Sequence, residues 1–378
     1  MQSRPVTRKE AMIRLKPNEY PRFTDDMSLT SARKAAQESL KYLTSLPASA
    51  LFQFGHDTFS ATHMARSIET FIKIIDANPT PEEINAQIKK KFSIYQTKGG
   101  RHGQKSKALF TGYYEPVLSG SLSRTPKYQY PIYRQPDNLA QIDMGLFDSR
   151  LQGRNFTGRC SGRAFVPYYD RKEIDSDGAL HGNGYELLWV RDPVTLFFLH
   201  IQGSGKVVLE NGKTLNVGYA CANGRPYKSI GKLLIDEGKI TLEDMSMQRI
   251  RAYLEKHPED MERIFNYNQS YVFFRFVDQG PIGSISVPLT PGRSIATDKS
   301  LFPKGALAFI TSEKPVIAKN RSIQGWQKFS RFAFNQDTGG AIKGEARVDL
   351  FFGKGLYASL AAGSMKQRGK VYFLVLKN

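Results

Sequence analysis

Hydrophobic and polar positions along this chain recur with two periods, helical at first and then largely strand-like. In the first hundred residues Ala32, Ala35, Ala36, Leu40 and Leu43 repeat at helical spacing behind Ser28 or Thr30 as cap, and Pro47 ends the run. A second helix is expected over 62–75. The third has the clearest start: Thr80 as N-cap, Pro81 at the first helical position and Glu83 closing a capping box, with Ile84, Ile88 and Phe92 as its apolar stripe. The whole region reads as a helical packing layer.

The character changes at 108–116, an apolar strand running into an aromatic turn. Strands are expected over 130–133, 185–190 and 194–201, the last leading into the turn Gln202-Gly203-Ser204-Gly205. A Gly-Ser-Gly turn after a strand suits a phosphate, but nothing around it completes a nucleotide fingerprint. Asn211-Gly212 is a hairpin signal, and 213–221 returns as a strand. Helical spacing comes back at 229–236, behind Thr241 as far as His257, and at 260–266. Six short strands follow, at 272–276, 284–289, 306–310, 328–334, 347–352 and 370–376, which together predict a small closed barrel.

Within that β region one stretch carries candidate chemistry. Asp337 and Asp349 lie twelve positions apart, separated by Gly339, Gly340 and Gly344. Ala346, Val348, Leu350 and Phe352 alternate with Arg347, Asp349 and Phe351, so Asp349 falls on the face opposite the apolar one. The glycine turns bring Asp337 back towards it. Two neighbouring carboxyls suit acid/base catalysis, whereas single turn and cap aspartates are ordinary structural features.

Composition narrows the classes. The 378 residues, 40% hydrophobic and 12% aromatic, suffice for two domains with real cores. A formal charge of +19 points to a polyanionic partner: nucleic acid, an anionic membrane surface or an acidic polymer. The basic residues are dispersed, Lys89-Lys90-Lys91 being the tight cluster, and no zinc-finger, RNP or basic-zipper pattern occurs, so no nucleic-acid partner is expected. Cys160 and Cys221 are too few for a disulfide framework, and whether they pair is open. His56, His63, His102, His181, His200 and His257 form no metal-binding pair, so no metal site is expected. No apolar run approaches a membrane span, and residues 1–5 contain no apolar signal region.

The chemistry-bearing motifs resemble a known family. Asp298 with Pro303-x-Gly305, then 337–344 (Asp-Thr-Gly-Gly-Ala-Ile-Lys-Gly), then Val348-Asp349-Leu350-Phe351 are similar to the three-aspartate domain of the membrane-bound lytic murein transglycosylase A family. The likeness extends through Thr111-Gly112-Tyr113-Tyr114-Glu115-Pro116, Tyr130-Pro131-Ile132-Tyr133, Gln202-Gly203-Ser204-Gly205, 223–231 and 244–248, and so covers 108–378. It implies a mainly β, α+β fold: a double-psi β-barrel with N-terminal helices, built from 1–112 and 277–378. A β-rich domain, 113–276, is inserted into it, and a groove between the two holds the glycan.

The resemblance also implies an activity. The family cleaves the β-1,4 bond between N-acetylmuramic acid and N-acetylglucosamine without water, leaving a 1,6-anhydro ring. Its essential aspartate matches Asp349, acting first as acid and then as base, which requires a raised pKa. Asp337 is the supporting carboxyl. Thr111, Tyr113, Tyr114, Gln202, Gly203, Ser204, Asp298, Gly340 and Lys343 are the expected substrate-binding residues, with no metal and no cofactor. The expected partners are the peptidoglycan strand and other cell-wall enzymes, met by a monomer in the periplasm or at the outer membrane. Many members carry a lipid-modified N-terminal cysteine, whereas no cysteine precedes Cys160 here.

Three other readings compete. Asp337-Thr338-Gly339 is also the aspartic-protease triplet, but that enzyme needs two copies and this sequence has one. An inverting glycoside hydrolase would use Asp349 as acid and Asp337 as base. A peptidoglycan-binding scaffold would use neither.

Overall fold

The N-terminal helices form where their caps and stripes place them. Leu29–Thr44 starts on Ser28, Ala61–Asp76 on Ser60, and Pro81–Lys91 on the reciprocal Thr80/Glu83 box. Each cap satisfies a backbone N–H that the helix cannot, typically worth about 1 kcal/mol. The buried faces, including Ala35, Ala36, Ile68 and Phe71, join the main hydrophobic core. The computed structural model describes residues 6–99 and 107–378, so the readings of residues 1–5 and of His102 lie outside the described residues.

The first hundred residues are not wholly helical. Met12–Arg14 pairs with Phe92–Thr97, and Leu51–Phe54 forms a hairpin with Asp57–Ser60. Phe92, expected on the third helix, instead begins a strand that pairs with the C-terminal strand Gln367–Leu376. Sheet pairing far away in sequence overrides the helical register there.

The chain separates into two units, one comprising Met1–Tyr114 with Ile282–Asn378 and the other Glu115–Pro281. In the first, six strands close on themselves in the order Ala108–Glu115, Gln367–Leu376, Leu307–Ile317, Ile323–Asp337, Ser294–Ala296, Arg347–Lys354 and back to Ala108–Glu115. Phe309, Phe332, Phe334, Leu350 and Phe373 fill the core beneath them. The barrel is therefore six-stranded as the alternation suggests, but two members differ. Residues 284–289 make a turn rather than a strand, because Ser286 adopts a left-handed φ of 61° and the Ser286 and Gly283 backbones close on each other. Residues 272–276 belong to the other unit.

A fully buried Arg293 fastens the segment before the first helix to this barrel. Its guanidinium donates twice to Asp25, to the Ser31 hydroxyl and to the Ser28 and Phe332 carbonyls. A buried charge so fully satisfied is costly to disrupt on one side only.

In the second unit a six-stranded sheet runs Val272–Val277, Thr214–Ala222, Ser204–Leu209, Val117–Ser121, Glu186–Val190, Tyr130–Tyr133, beside a smaller sheet of Ala140–Asp143, Asn155–Ser161 and Ala164–Pro167. The run 194–201, expected as a strand, is the helix Pro193–Gln202. Asp192 caps its Val194 and Thr195 N–H groups, Pro193 opens it, and Gly203 closes it with a left-handed φ of 78°. These end signals outweigh the β propensity of a run too apolar to show a period. The helix expected from Thr241 begins at Met247 on Ser246, and Thr241 with Asp244 closes a separate turn. Cys160 and Cys221 are both free thiols. No helix among the described residues is long and apolar enough to cross a membrane.

Candidate active site

Four neighbouring barrel strands carry the site. Ser294–Ala296 lies between Ile323–Asp337 and Arg347–Lys354, and Ala296 is the register partner of Asp337 on one side and of Asp349 on the other. Two inter-strand steps therefore separate the aspartate backbones, roughly 9.5 Å. Ala108–Glu115 flanks Arg347–Lys354 on its other side and presents Thr111 and Tyr113 from one face. On the opposite face Gly112 is required by close approach: a Cβ there would meet the Phe352 ring at 2.6 Å and the Ala362 Cα at 2.8 Å.

The hydrogen bonds distinguish the two carboxyls. Asp349 Oδ1 accepts from the Thr111 hydroxyl at 2.7 Å, and its Oδ2 has no partner among the described residues. Asp337 is engaged through both oxygens: Oδ1 accepts from the Ser284 N–H at 3.0 Å and the Thr338 N–H at 2.8 Å, and Oδ2 from the Tyr113 hydroxyl at 2.9 Å. Tyr113, Leu289, Ala296 and Phe351 form a small apolar cluster at the site. Asp349, partly exposed on the non-core face of its strand, shares that face with Phe351 of the cluster.

Burial raises both aspartates to about 6. For Asp349 the Thr111 hydrogen bond and the Arg347 charge oppose this rise. For Asp337 its three donors oppose it, while the Asp349 charge adds to it. Burial and both aspartates push the Tyr113 hydroxyl well above its usual range, so it remains a donor. Arg347 Nε is buried and accepted by no hydrogen-bond partner among the described residues.

Asp298 has a different task. It accepts from the Ser300 N–H and hydroxyl and from the Gly344 N–H, and these bonds with the nearby Lys343 charge hold it below the usual carboxylate range. It latches the glycine-rich loop after Asp337. Gly340 and Lys343 are exposed on that loop, and Tyr114 lies on the face of its strand opposite Tyr113. Gln202, Gly203 and Ser204 belong to the second unit, where they join the helix Pro193–Gln202 to the strand Ser204–Leu209. Ser284, Ala296, Arg347 and Phe351 enter the site without having been singled out in the sequence as site residues. Strand alternation placed Arg347 and Phe351 beside Asp349, but nothing local marked Ser284 or Ala296.

Residues 109–275 match the MltA specific insert domain and 293–375 the 3D domain. The membrane-bound lytic murein transglycosylase A of Vibrio cholerae is 31% identical over 290 residues, 76% of this chain and 70% of that protein. This chain belongs to the membrane-bound lytic murein transglycosylase A family. The Escherichia coli K12 member is 35% identical over 268 residues, 70% of this chain, and the match spans 65% of that member's length. The structure of E. coli MltA with bound chitohexaose superposes with a TM-score of 0.71 at 26% identity, covering 99% of this chain and 95% of the other. The family likeness thus extends to the mainly β fold with its closed barrel.

Proposed function

We propose that this chain is a peptidoglycan lytic transglycosylase in which Asp349 is the single catalytic carboxyl. The observation that carries this reading is the unequal engagement of the two aspartates: three donors occupy both oxygens of Asp337, while one oxygen of Asp349 has no partner among the described residues. Asp349, kept partly protonated by burial, donates its proton to the glycosidic oxygen as the muramic acid C1–O bond breaks. N-acetylglucosamine leaves with that proton on its O4. The C6 hydroxyl of the muramic acid then attacks C1 and returns its proton to the Asp349 carboxylate, forming the 1,6-anhydro ring. No water is consumed and Asp349 ends as it began.

The same geometry supports roles for the neighbouring residues. Thr111 orients Asp349, and the Arg347 charge favours the carboxylate left after the first proton transfer. Asp337, fixed by Tyr113, Ser284 and Thr338, supplies negative charge beside the developing oxocarbenium ion. Tyr114, Gln202, Gly203, Ser204, Gly340 and Lys343 are assigned to glycan contact and Asp298 to holding the loop. The substrate is the murein strand, consistent with the chitohexaose bound to the E. coli relative. The reading places the protein in the periplasm, associated with the outer membrane, acting as a monomer alongside other cell-wall enzymes.

The Asp349 charge acts on Asp337, so the two carboxyls are near enough to work as an acid and base pair, which makes an inverting hydrolase the second reading. Mass spectrometry of digested murein separates them. Anhydro-muropeptides are expected, and products heavier by one water would establish the hydrolase instead.

A further inference from the structure

A cavity of about 200 Å³ opens in the barrel unit, lined by Arg8, Lys299 and Lys304 with Tyr42, Phe52 and Gln53, and among the described residues no acidic side chain lines it. Its floor is stitched to the strand that ends in Asp337. The Gly305 N–H donates to the Asn335 carbonyl and the Asn335 amide to the Pro303 carbonyl at 2.8 Å, while the Thr297 N–H reaches the Asp337 carbonyl. Gly305, with a left-handed φ of 74°, lets Tyr42 pack against this floor, since a Cβ there would meet the ring at 2.9 Å. Arg8 is held at the rim by its Nε donating to the Ser300 carbonyl at 2.8 Å. Lys304 is half-buried and makes no ion pair among the described residues.

Burial and the Lys299 charge lower the Lys304 ammonium, while Asp337 acts in the opposite sense, and the Arg8 guanidinium borders the same space. A recess bordered by cationic side chains attracts an anion. The volume is below the roughly 300–1,000 Å³ of pockets that enclose a whole small molecule, so it suits a charged substituent of a larger ligand.

We propose that this cavity receives a carboxylate of the peptide that murein carries on its muramic acid, so that the barrel recognises the acidic stem as well as the sugar. The inference rests on the murein reading above, since the stem is attached to the sugar whose C1 faces Asp349. Lys304 and Lys299 supply the charge and Arg8 a planar donor suited to a carboxylate. The Phe52 and Tyr42 rings border the space that the stem's aliphatic atoms would occupy.

The test compares kcat/KM on glycan strands with intact stems and on strands stripped of peptide by an amidase. The wild-type protein is expected to favour the stem-bearing strands by about tenfold, as one charged contact would give. In Lys304→Gln, and separately in the exposed Lys299→Glu, the ratio is expected to fall towards one. General damage to folding lowers both rates together and leaves the ratio unchanged. A wild-type ratio of one, or the same preference in both variants, overturns the proposal. Titration with the free murein tetrapeptide provides a readout that needs no cleavage: binding by wild type that is lost in Lys299→Glu supports the cavity even if no glycan is cut, and absence of binding by wild type overturns it. Failure of the transglycosylase reading would instead show as no anhydro product from either strand.

Discussion

Asp337 closes a long barrel strand where the chain turns into a glycine-rich loop, whereas Asp349 lies within the strand Arg347–Lys354. Both are in register with Ala296 and both are raised by burial to about 6. They differ in the company of their oxygens. At the strand end, free backbone N–H groups of a turn are available, and Asp337 takes two of them as well as the Tyr113 hydroxyl. Inside the strand the backbone is committed to sheet pairing, so among the described residues Asp349 receives the Thr111 side chain alone. Shared burial makes each a weak acid, but among the described residues the one within the strand has an oxygen without a partner, as the proposed proton donor requires.

The largest expected effect tests that contrast directly. Asp349→Asn should lower the rate of anhydro-muropeptide release by about 10³-fold, the usual scale for losing a general acid, while glycan affinity stays near wild type. The same variant should gain stability. A carboxyl raised from 3.8 to about 6 favours the folded state when protonated, so its contribution is present at low pH and is lost as pH rises through about 6. Asparagine avoids that cost, by up to about 3 kcal/mol at pH 7, read as a higher Tm in a thermal melt. Unchanged activity would remove Asp349 from the chemistry.

Asp337→Asn should cost less, about 10- to 100-fold, because asparagine can still accept the two backbone N–H groups while its negative charge is lost. Products should remain anhydro. A loss as deep as that of Asp349→Asn would make the two carboxyls equal partners and favour the hydrolase.

The pH profile comes next in size. With Asp349 titrating near 6 and needed first as an acid, kcat should fall about tenfold per pH unit well above 6, measured as initial rates on purified sacculi. A rate that rises with pH between 6 and 8 would reverse the roles assigned here. In Thr111→Val the bond that stabilises the Asp349 carboxylate is gone, so this falling limb should move to higher pH while kcat drops several-fold through lost orientation. If Thr111→Val leaves the limb in place, the bond is not what tunes Asp349.

The helical layer was readable because caps and stripes are local: Ser28, Thr80, Pro81 and Glu83 fix helix starts whatever packs on them. Sheet content was readable from alternation, and the strand 347–352 with Asp349 away from the core was recovered nearly residue for residue. Two strand assignments failed for opposite reasons. The run 194–201 is apolar all round, so its period is invisible and its caps decide, while 284–289 is broken by one left-handed serine that no propensity scale signals.

By itself the sequence determined the helix starts, the alternating strands, the positive charge, and motifs specific enough to identify the family and single out Asp349. Only the tertiary structure decided how the two aspartates differ. That difference depends on Ala296 standing between them in register, on Ser284 and Tyr113 reaching Asp337, and on Thr111 reaching Asp349 from a strand 238 positions earlier. Hydrogen-bond partners and burial are set by barrel closure between distant segments, and no local pattern in the chain encodes which neighbours a closed sheet will supply.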